Sequence, residues 1–475
     1  MGNAFLLDKS ATRRIHFVGI GGIGLSAIAR VLHAAGFEIS GSDAQQTPLT
    51  IELSALGMSV KTGHSAENVE GADLVVVSSA VPQDNPEIVA ARQFGLPVVK
   101  RDQLLGAMMA DKYGIAVAGT HGKTTTTAMI AFVLADLGCD PTFVVGGILQ
   151  DLGTNARLGQ GQHFVVEADE YDHTFLGLRP QLAVVTVVEM DHPDCFADLE
   201  AVVADFGRFV RLVPEEGTLV GSADQPLVMQ LLRTAGLEKR VQVVTYGLDP
   251  ESEWQARNVA ANDWGGSDFY VFHAGRKVGR ARLRLAGLHN VSNALAVVAV
   301  ASCLGVPMDR VLSALSRFHG VRRRFETKGE ANGVVVVDDY AHHPTEIRAT
   351  LAAARRRYGA RPLWVFFQPH TYSRTRALLD QFAASFKDAD HVVVSDIYAA
   401  REKNDLSIHA RDLVERIAGP DVRYAGTLRE ASEQLSMGLR PGDVLLTLGA
   451  GNGDWVGESV LSALRRCSGQ GNHET

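Results

Sequence analysis

Gly114-Ile115-Ala116-Val117-Ala118-Gly119-Thr120-His121-Gly122-Lys123-Thr124 decides the fold of this 475-residue chain. A short apolar run of strand type ends on glycine, turns, and passes into a stretch of helical periodicity that Gly138 closes. Glycines at a strand-to-helix turn let backbone N–H groups and the positive end of the helix dipole face a phosphate. Lys123 adds a mobile charge, and the Thr124 hydroxyl can reach Mg²⁺. The spacing is GxxGKT, shorter than the usual phosphate loop, because Val117 stands where the first glycine would be. A plain strand-to-helix turn that happens to carry a lysine is the bland alternative.

Two neighbouring runs of the same kind also end in polar groups. HFVVEADE delivers Glu167, Asp169 and Glu170, and LAVVTVVEMDH delivers Glu189, Asp191 and His192. Sites in open parallel sheets lie beyond the carboxyl ends of the strands, so these groups and the glycine turn are expected at one edge. Hard oxygens and a neutral imidazole beside a phosphate turn are what Mg²⁺–ATP requires.

The same alternation of short strands and helices runs through the chain and predicts parallel sheets covered by helices. Upstream, Gly19-Ile20-Gly21-Gly22-Ile23-Gly24 fits GxGxxG between the strand IHFVGI and a helix, and Asp43 follows the next strand. Such a turn suits a diphosphate, either of a dinucleotide or of a nucleotide sugar. Downstream, VVVVDDY, LWVFFQ, HVVVSD and VLLTLGAG place polar clusters after strands, among them Tyr340, His342, His370, Arg374 and Arg376. Arg374 and Arg376 suit a carboxylate or a phosphoryl group. The glycine turn Gly449–Gly453 is read as structural. A hairpin is expected around FYVFHAGRKVGRARLRL, and a buried helix over Val291–Val306. Boundaries near residues 108 and 320 divide the chain into units 1–108, 109–320 and 321–475, with a polar tail from Ser468 expected to be disordered.

Composition is consistent with three packed units, at about 150 residues each. The net charge is −8, with charged residues at 21% and hydrophobic ones at 46%. That balance excludes a disordered chain, and its sign disfavours nucleic acid or an anionic membrane as a partner. Four scattered cysteines make no CxxC, which excludes a zinc cluster of that type and a disulfide scaffold. No charged-then-apolar leader precedes the first strand, so a soluble, cytoplasmic protein is expected.

In this order, HFVGIGGIGLSAIA, SSAVPQDNPE, GTHGKTTTTAMI, EADEYDHTFL, DHPDCF, HNVSNALA, DDYAHHPTEIRATL, FQPHTYSRTR and DIYAAREK resemble the ATP-dependent Mur ligases of bacterial cell-wall synthesis. The resemblance spans about residues 14 to 456. It implies an α/β protein of three domains: an N-terminal Rossmann-like UDP-binding domain, a central P-loop-type ATPase domain and a C-terminal Rossmann-like domain. It also implies phosphorylation of a substrate carboxylate by ATP, followed by attack of an amine on the acyl phosphate.

Carried over position by position, the resemblance implies that Gly119, Thr120, His121, Gly122, Lys123, Thr124 and Thr125 hold the ATP phosphates, with Lys123 on the β- and γ-phosphates. Thr124, Glu167 and His192 are implied as Mg²⁺ ligands. Asn290, Asn293, Arg324 and Asp339 are implied around the rest of the nucleotide. Tyr340, His342 and Arg374 are implied in the amino-acid pocket, and Gly19, Gly21, Gly22, Asp43, His64 and Ser78 at the uridine diphosphate. Lys123, Glu167, His192, His342 and Arg374 are the implied catalytic set. The implied small-molecule partners are UDP-N-acetylmuramate and L-alanine, on a monomer or homodimer.

Three departures matter. Later-acting family members carry a carbamylated lysine where this chain has Phe206, which favours the alanine-adding branch. Val187 stands where an asparagine is commoner, and Thr371 where some alanine-adding members carry arginine. The alternatives are a tripeptide-attaching ligase of the same family, a nicotinamide-dependent dehydrogenase suggested by Gly19 to Asp43 alone, and a nucleotide-binding scaffold without turnover.

Overall fold

The structure, a computed structural model, describes residues 7–8, 10–238, 240–403 and 407–470. Three sheets succeed one another along the chain. The first has five parallel strands in the spatial order Ser59–Thr62, Glu38–Asp43, Arg14–Val18, Leu74–Val77 and Val98–Lys100. The order reverses beside Arg14–Val18, where a ligand crevice is expected in a doubly wound sheet. Gly19, His64 and Ser78 follow the carboxyl ends of its strands, and Asp43 is the last residue of one.

The central sheet has ten strands. At its heart Tyr113–Ala118 pairs in parallel with His163–Glu167 on one side and Leu182–Val185 on the other. The phosphate turn therefore emerges between the two strands that deliver the carboxylates, as their patterning predicts. Val184, Val165, Ala116 and Val117 are fully buried, the run of apolar residues that a sheet covered on both faces requires. The expected hairpin is present as Ser267–His273 and Arg276–Leu283, turned at Ala274 and Gly275, both with positive φ. The expected buried helix is Leu288–Cys303. Thr142–Leu149 pairs with Thr154–Arg157 at the far edge, a strand pair the sequence reading did not separate from its surroundings.

The third sheet runs Glu326–Ala331, Val334–Asp339, Val444–Leu448, Leu363–Phe367, His391–Ser395 and Asp421–Gly426, and only its first strand is antiparallel. The last helix, Asp454–Gln470, takes in Ser468, so the start of the tail expected to be disordered is helical instead, and residues 471–475 lie outside the described residues. Among the described residues no helix is long and apolar enough to cross a membrane, and Cys139, Cys195 and Cys303 are free thiols.

Candidate active site

Gly122 caps the helix Lys123–Asp136 with φ 81°, a conformation that favours glycine, and a β-carbon there would sit 2.8 Å from Asn293 Oδ1. Gly122 gives that helix N-terminus no side-chain cap, which leaves its first N–H groups available to a phosphate. Lys123 folds back over the loop. Its Nζ donates to Gly119 O at 2.5 Å and pairs with Glu170 Oε2 at 2.8 Å. Burial alone would lower the Lys123 pKa, but the charges of Glu170 and Asp169 outweigh it and hold the ammonium above its usual value.

Glu167 ends its strand with both oxygens engaged. Oε1 accepts from the Thr124 hydroxyl at 2.9 Å and Oε2 from Gly146 N at 2.6 Å. His192 Nε2 stands 3.8 Å from both Glu170 Oε1 and Asp191 Oδ2. Burial pushes the Glu170 carboxyl up, and the charge of Lys123 works against that shift. A hydroxyl, several carboxylate oxygens and one imidazole around a phosphate turn are a donor set that fits Mg²⁺. A β-carbon on Gly146 would meet Glu167 Oε2 at 2.6 Å, so the space beside that carboxylate depends on the glycine.

The third sheet closes on this edge. Arg374, 3% exposed, donates from Nε to Asp191 Oδ1 at 2.7 Å, and its Nη2 lies 3.4 Å from His192 Nδ1. Arg374 holds Asp191 well below the ordinary carboxylate range despite complete burial. His342 packs edge-on against Tyr340 and His370. Burial lowers its pKa to about 4, so it is a neutral imidazole at pH 7, with Nδ1 2.9 Å from Tyr340 O. Thr371 and His192 both hold positive φ, 66° and 53°, a cost that concentrates at working sites.

These groups line two adjoining cavities. One, of about 390 Å³, takes in Thr125, Asn290, Asn293, Arg324 and Asp339 against an apolar wall of Val187, Leu248 and Leu285. Asn293 Nδ2 donates to Asn290 Oδ1 at 3.3 Å, and Asp339 accepts from Phe325 N and Ala341 N while burial raises its pKa to about 6. The other cavity, of about 810 Å³, takes in Lys123, Glu167, His192, Tyr340, His342 and Arg374 and reaches the first sheet's unit at Ile23, Gly24 and Ile28. His121, Gly122, Thr124, Arg324 and Glu346 belong to both walls.

Three domain models cover the chain almost end to end: "Mur ligase family, catalytic domain" over residues 14–113, "Mur ligase middle domain" over 117–301 and "Mur ligase, glutamate ligase domain" over 323–451. The chain belongs to the Mur ligase family. It is 47% identical over 455 residues to the UDP-N-acetylmuramate–L-alanine ligase of Geobacter sp. strain M21, covering 95% of this chain and 98% of the relative. The crystal structure of the UDP-N-acetylmuramate–alanine ligase MurC of Thermotoga maritima superposes with a TM-score of 0.81 at 31% identity, covering 96% of this chain and 99% of that one. A murein peptide ligase from Psychrobacter arcticus gives a TM-score of 0.73 at 28% identity, covering 95% and 99%.

Against this Mur ligase frame the departures have physical places. Phe206 is fully buried, edge-on to Phe175 with centroids 5.3 Å apart, so that position is core here. Val187 still serves the loop through its carbonyl, which accepts from Thr120 N at 2.7 Å. Thr371 caps the helix that carries Arg374, and its N–H donates to Tyr398 O at 2.9 Å.

The first unit's expected residues gather at one sheet edge but outside the larger cavity. Asp43 turns inward: its Oδ2 accepts from Gly21 N at 2.9 Å and braces the glycine turn. His64 Nδ1 lies 3.0 Å from Ser42 Oγ and 3.3 Å from Glu87 Oε2. Glu87, fully buried at the start of a helix, gathers Ser42, His64, Asn68 and His16, a hub the sequence did not advertise. Glu346 was equally silent. Its acidity at a helix start reads as ordinary capping, yet it meets His121, Arg324 and His342.

Proposed function

We propose that this chain is an ATP-dependent, ADP-forming ligase that joins L-alanine to UDP-N-acetylmuramate in peptidoglycan precursor synthesis. One observation carries the reading: the phosphate turn with its carboxylates and the buried His342–Arg374 pocket open onto one cavity that reaches the first unit at Ile23 and Gly24, where the helix after its glycine turn begins. Near-half identity to an alanine-adding relative over almost the whole chain supports the choice of amino acid. The units 1–108, 109–320 and 321–475 are proposed as the sugar-nucleotide, ATP and amino-acid domains, with one sheet lying in each.

In this reading the terminal phosphoryl group passes from ATP to the sugar's carboxylate, and the amine of L-alanine then displaces phosphate from the acyl carbon. Lys123 and the N–H groups at the helix start face the phosphates and balance charge that builds on their oxygens. Thr124, Glu167 and His192 would hold Mg²⁺, which supplies screening of the phosphate charge. Asn290, Asn293, Arg324 and Asp339 fix the nucleoside end. Arg374 presents a cation, already oriented by Asp191, to the amino acid's carboxylate, and neutral His342 offers a nitrogen lone pair beside the attacking amine. The Rossmann-like first unit holds the uridine diphosphate away from the chemistry.

Phosphate release measured with UDP-N-acetylmuramate, ATP and Mg²⁺ tests the assignment. Turnover with L-alanine, and background rates with a preformed tripeptide, are expected. Turnover with the tripeptide alone would make this the tripeptide-attaching member instead. NADH binding without ATP turnover would return the dehydrogenase reading, and no turnover at all the scaffold.

A further inference from the structure

Arg101 directly follows the last strand of the first sheet and opens the helix Arg101–Met108. No step above uses it. Its Nη2 donates to Asp169 and, at 3.2 Å, to Thr174 Oγ1, so the side chain crosses to the carboxylate edge of the central sheet. Among the described residues its hydrogen bonds run through Nη2 alone. Nη1 points back: it lies 2.8 Å from where a β-carbon on Gly24 would stand. Gly24 is in the first turn of helix Ile23–Ala34, whose N-cap Gly22 supplies no side chain to its leading N–H groups. The unused half of the guanidinium thus lies beside Gly24, at the start of the helix that follows the glycine turn.

The larger cavity runs from Ile23 and Gly24 past Arg101 to Lys123 and Glu167. Its wall also carries Asp169, Asp191 and Asp194. Asp191 there is paired with Arg374 and Asp194 with Arg401, whereas Arg101 keeps one guanidinium nitrogen outside its hydrogen bonds to Asp169 and Thr174 and so can meet a passing anion. Burial works against the charge on Arg101, but Asp169 and Glu167 more than restore it, so the guanidinium stays charged.

We propose that Arg101 Nη1 pairs with an anionic oxygen of the sugar nucleotide as it crosses from the glycine turn to Lys123, while Nη2 keeps its hold on Asp169. The proposal rests on the sugar-nucleotide reading of the first unit. The oxygen belongs either to the diphosphate or to the sugar's carboxylate, and the guanidinium suits both.

Calorimetric titration of the full chain with UDP, UDP-N-acetylglucosamine and UDP-N-acetylmuramate separates them, using wild type, Arg101→Gln and Arg101→Lys. Arg101→Gln should weaken binding about tenfold, the scale of a lost charged hydrogen bond, with Arg101→Lys between it and wild type. Loss for all three ligands places the contact on the diphosphate, and loss for UDP-N-acetylmuramate alone places it on the carboxylate. ATP affinity within twofold of wild type in Arg101→Gln is expected and shows that the central unit is intact. Binding of all three ligands within twofold of wild type in Arg101→Gln would overturn the role of Arg101. Wild-type protein that binds none of them would overturn the sugar-nucleotide reading, and the proposal with it.

Discussion

His121 Nδ1 lies 3.0 Å from Glu346 Oε1, which ties the turn before Lys123 to the first turn of helix Pro344–Tyr358 on the third sheet. The other ring nitrogen meets Glu189, in the loop after strand Leu182–Val185 of the central sheet. The imidazole is therefore a cation between two carboxylates from different sheets, at the wall shared by both cavities.

That arrangement has a pH signature. Burial lowers the His121 pKa, yet Glu346 and Glu189 raise it to about 9, against about 6.5 in an unfolded chain. The folded state binds the extra proton, so the stabilisation is complete below about pH 6.5 and fades as pH rises through about 9. In scanning calorimetry without ligands, His121→Asn should lower Tm at pH 6.5 and by much less at pH 9.5. An equal gap at both pH values would contradict the paired imidazolium.

Lys123→Ala should cut turnover by roughly a thousandfold, the scale of removing a charge-stabilising donor. UDP-N-acetylmuramate affinity should be nearly unchanged, because the first unit's glycine turn and the Lys123 turn belong to separate sheets. Calorimetry that found the sugar nucleotide lost in this variant would contradict the division of labour.

Glu167→Gln leaves an oxygen for Thr124 or Gly146 but removes the charge. The Mg²⁺ concentration for half-maximal rate should rise by at least about tenfold. An unchanged metal dependence would remove Glu167 from the metal's contacts.

Arg374→Ala strands the buried Asp191 charge and should cost about 3–5 kcal/mol of stability. Adding Asp191→Asn should return part of that loss in urea unfolding, since the orphaned charge is gone. A double variant less stable than Arg374→Ala would show that the two residues are not paired in this way.

Much of this was legible because strand ends are marked by abrupt changes in polarity. Val165-Val166-Glu167 and Val337-Asp338-Asp339 each switch from core to ligand within a residue or two, and the structure puts them at sheet edges. The GxxGKT spacing located its helix to within a residue or two. What escaped the sequence was the partnering across sheets. Nothing local to Glu346, Glu87 or Arg101 distinguishes them from a helix-start acid or a surface arginine. Their roles arise only when residues such as His121, His64 and Asp169, distant in sequence, are brought to them. The same holds for Asp43, whose place at the end of the second strand gives no hint that its carboxylate accepts from the backbone of the glycine turn.

The central claim is that the sugar's own carboxylate is phosphorylated before the amine arrives. UDP-N-acetylmuramate labelled with ¹⁸O in that carboxylate, turned over with ATP and L-alanine, tests it by mass spectrometry of the released phosphate. Phosphate carrying one labelled oxygen from each turnover is the predicted result. Unlabelled phosphate alongside normal amide formation would contradict the account.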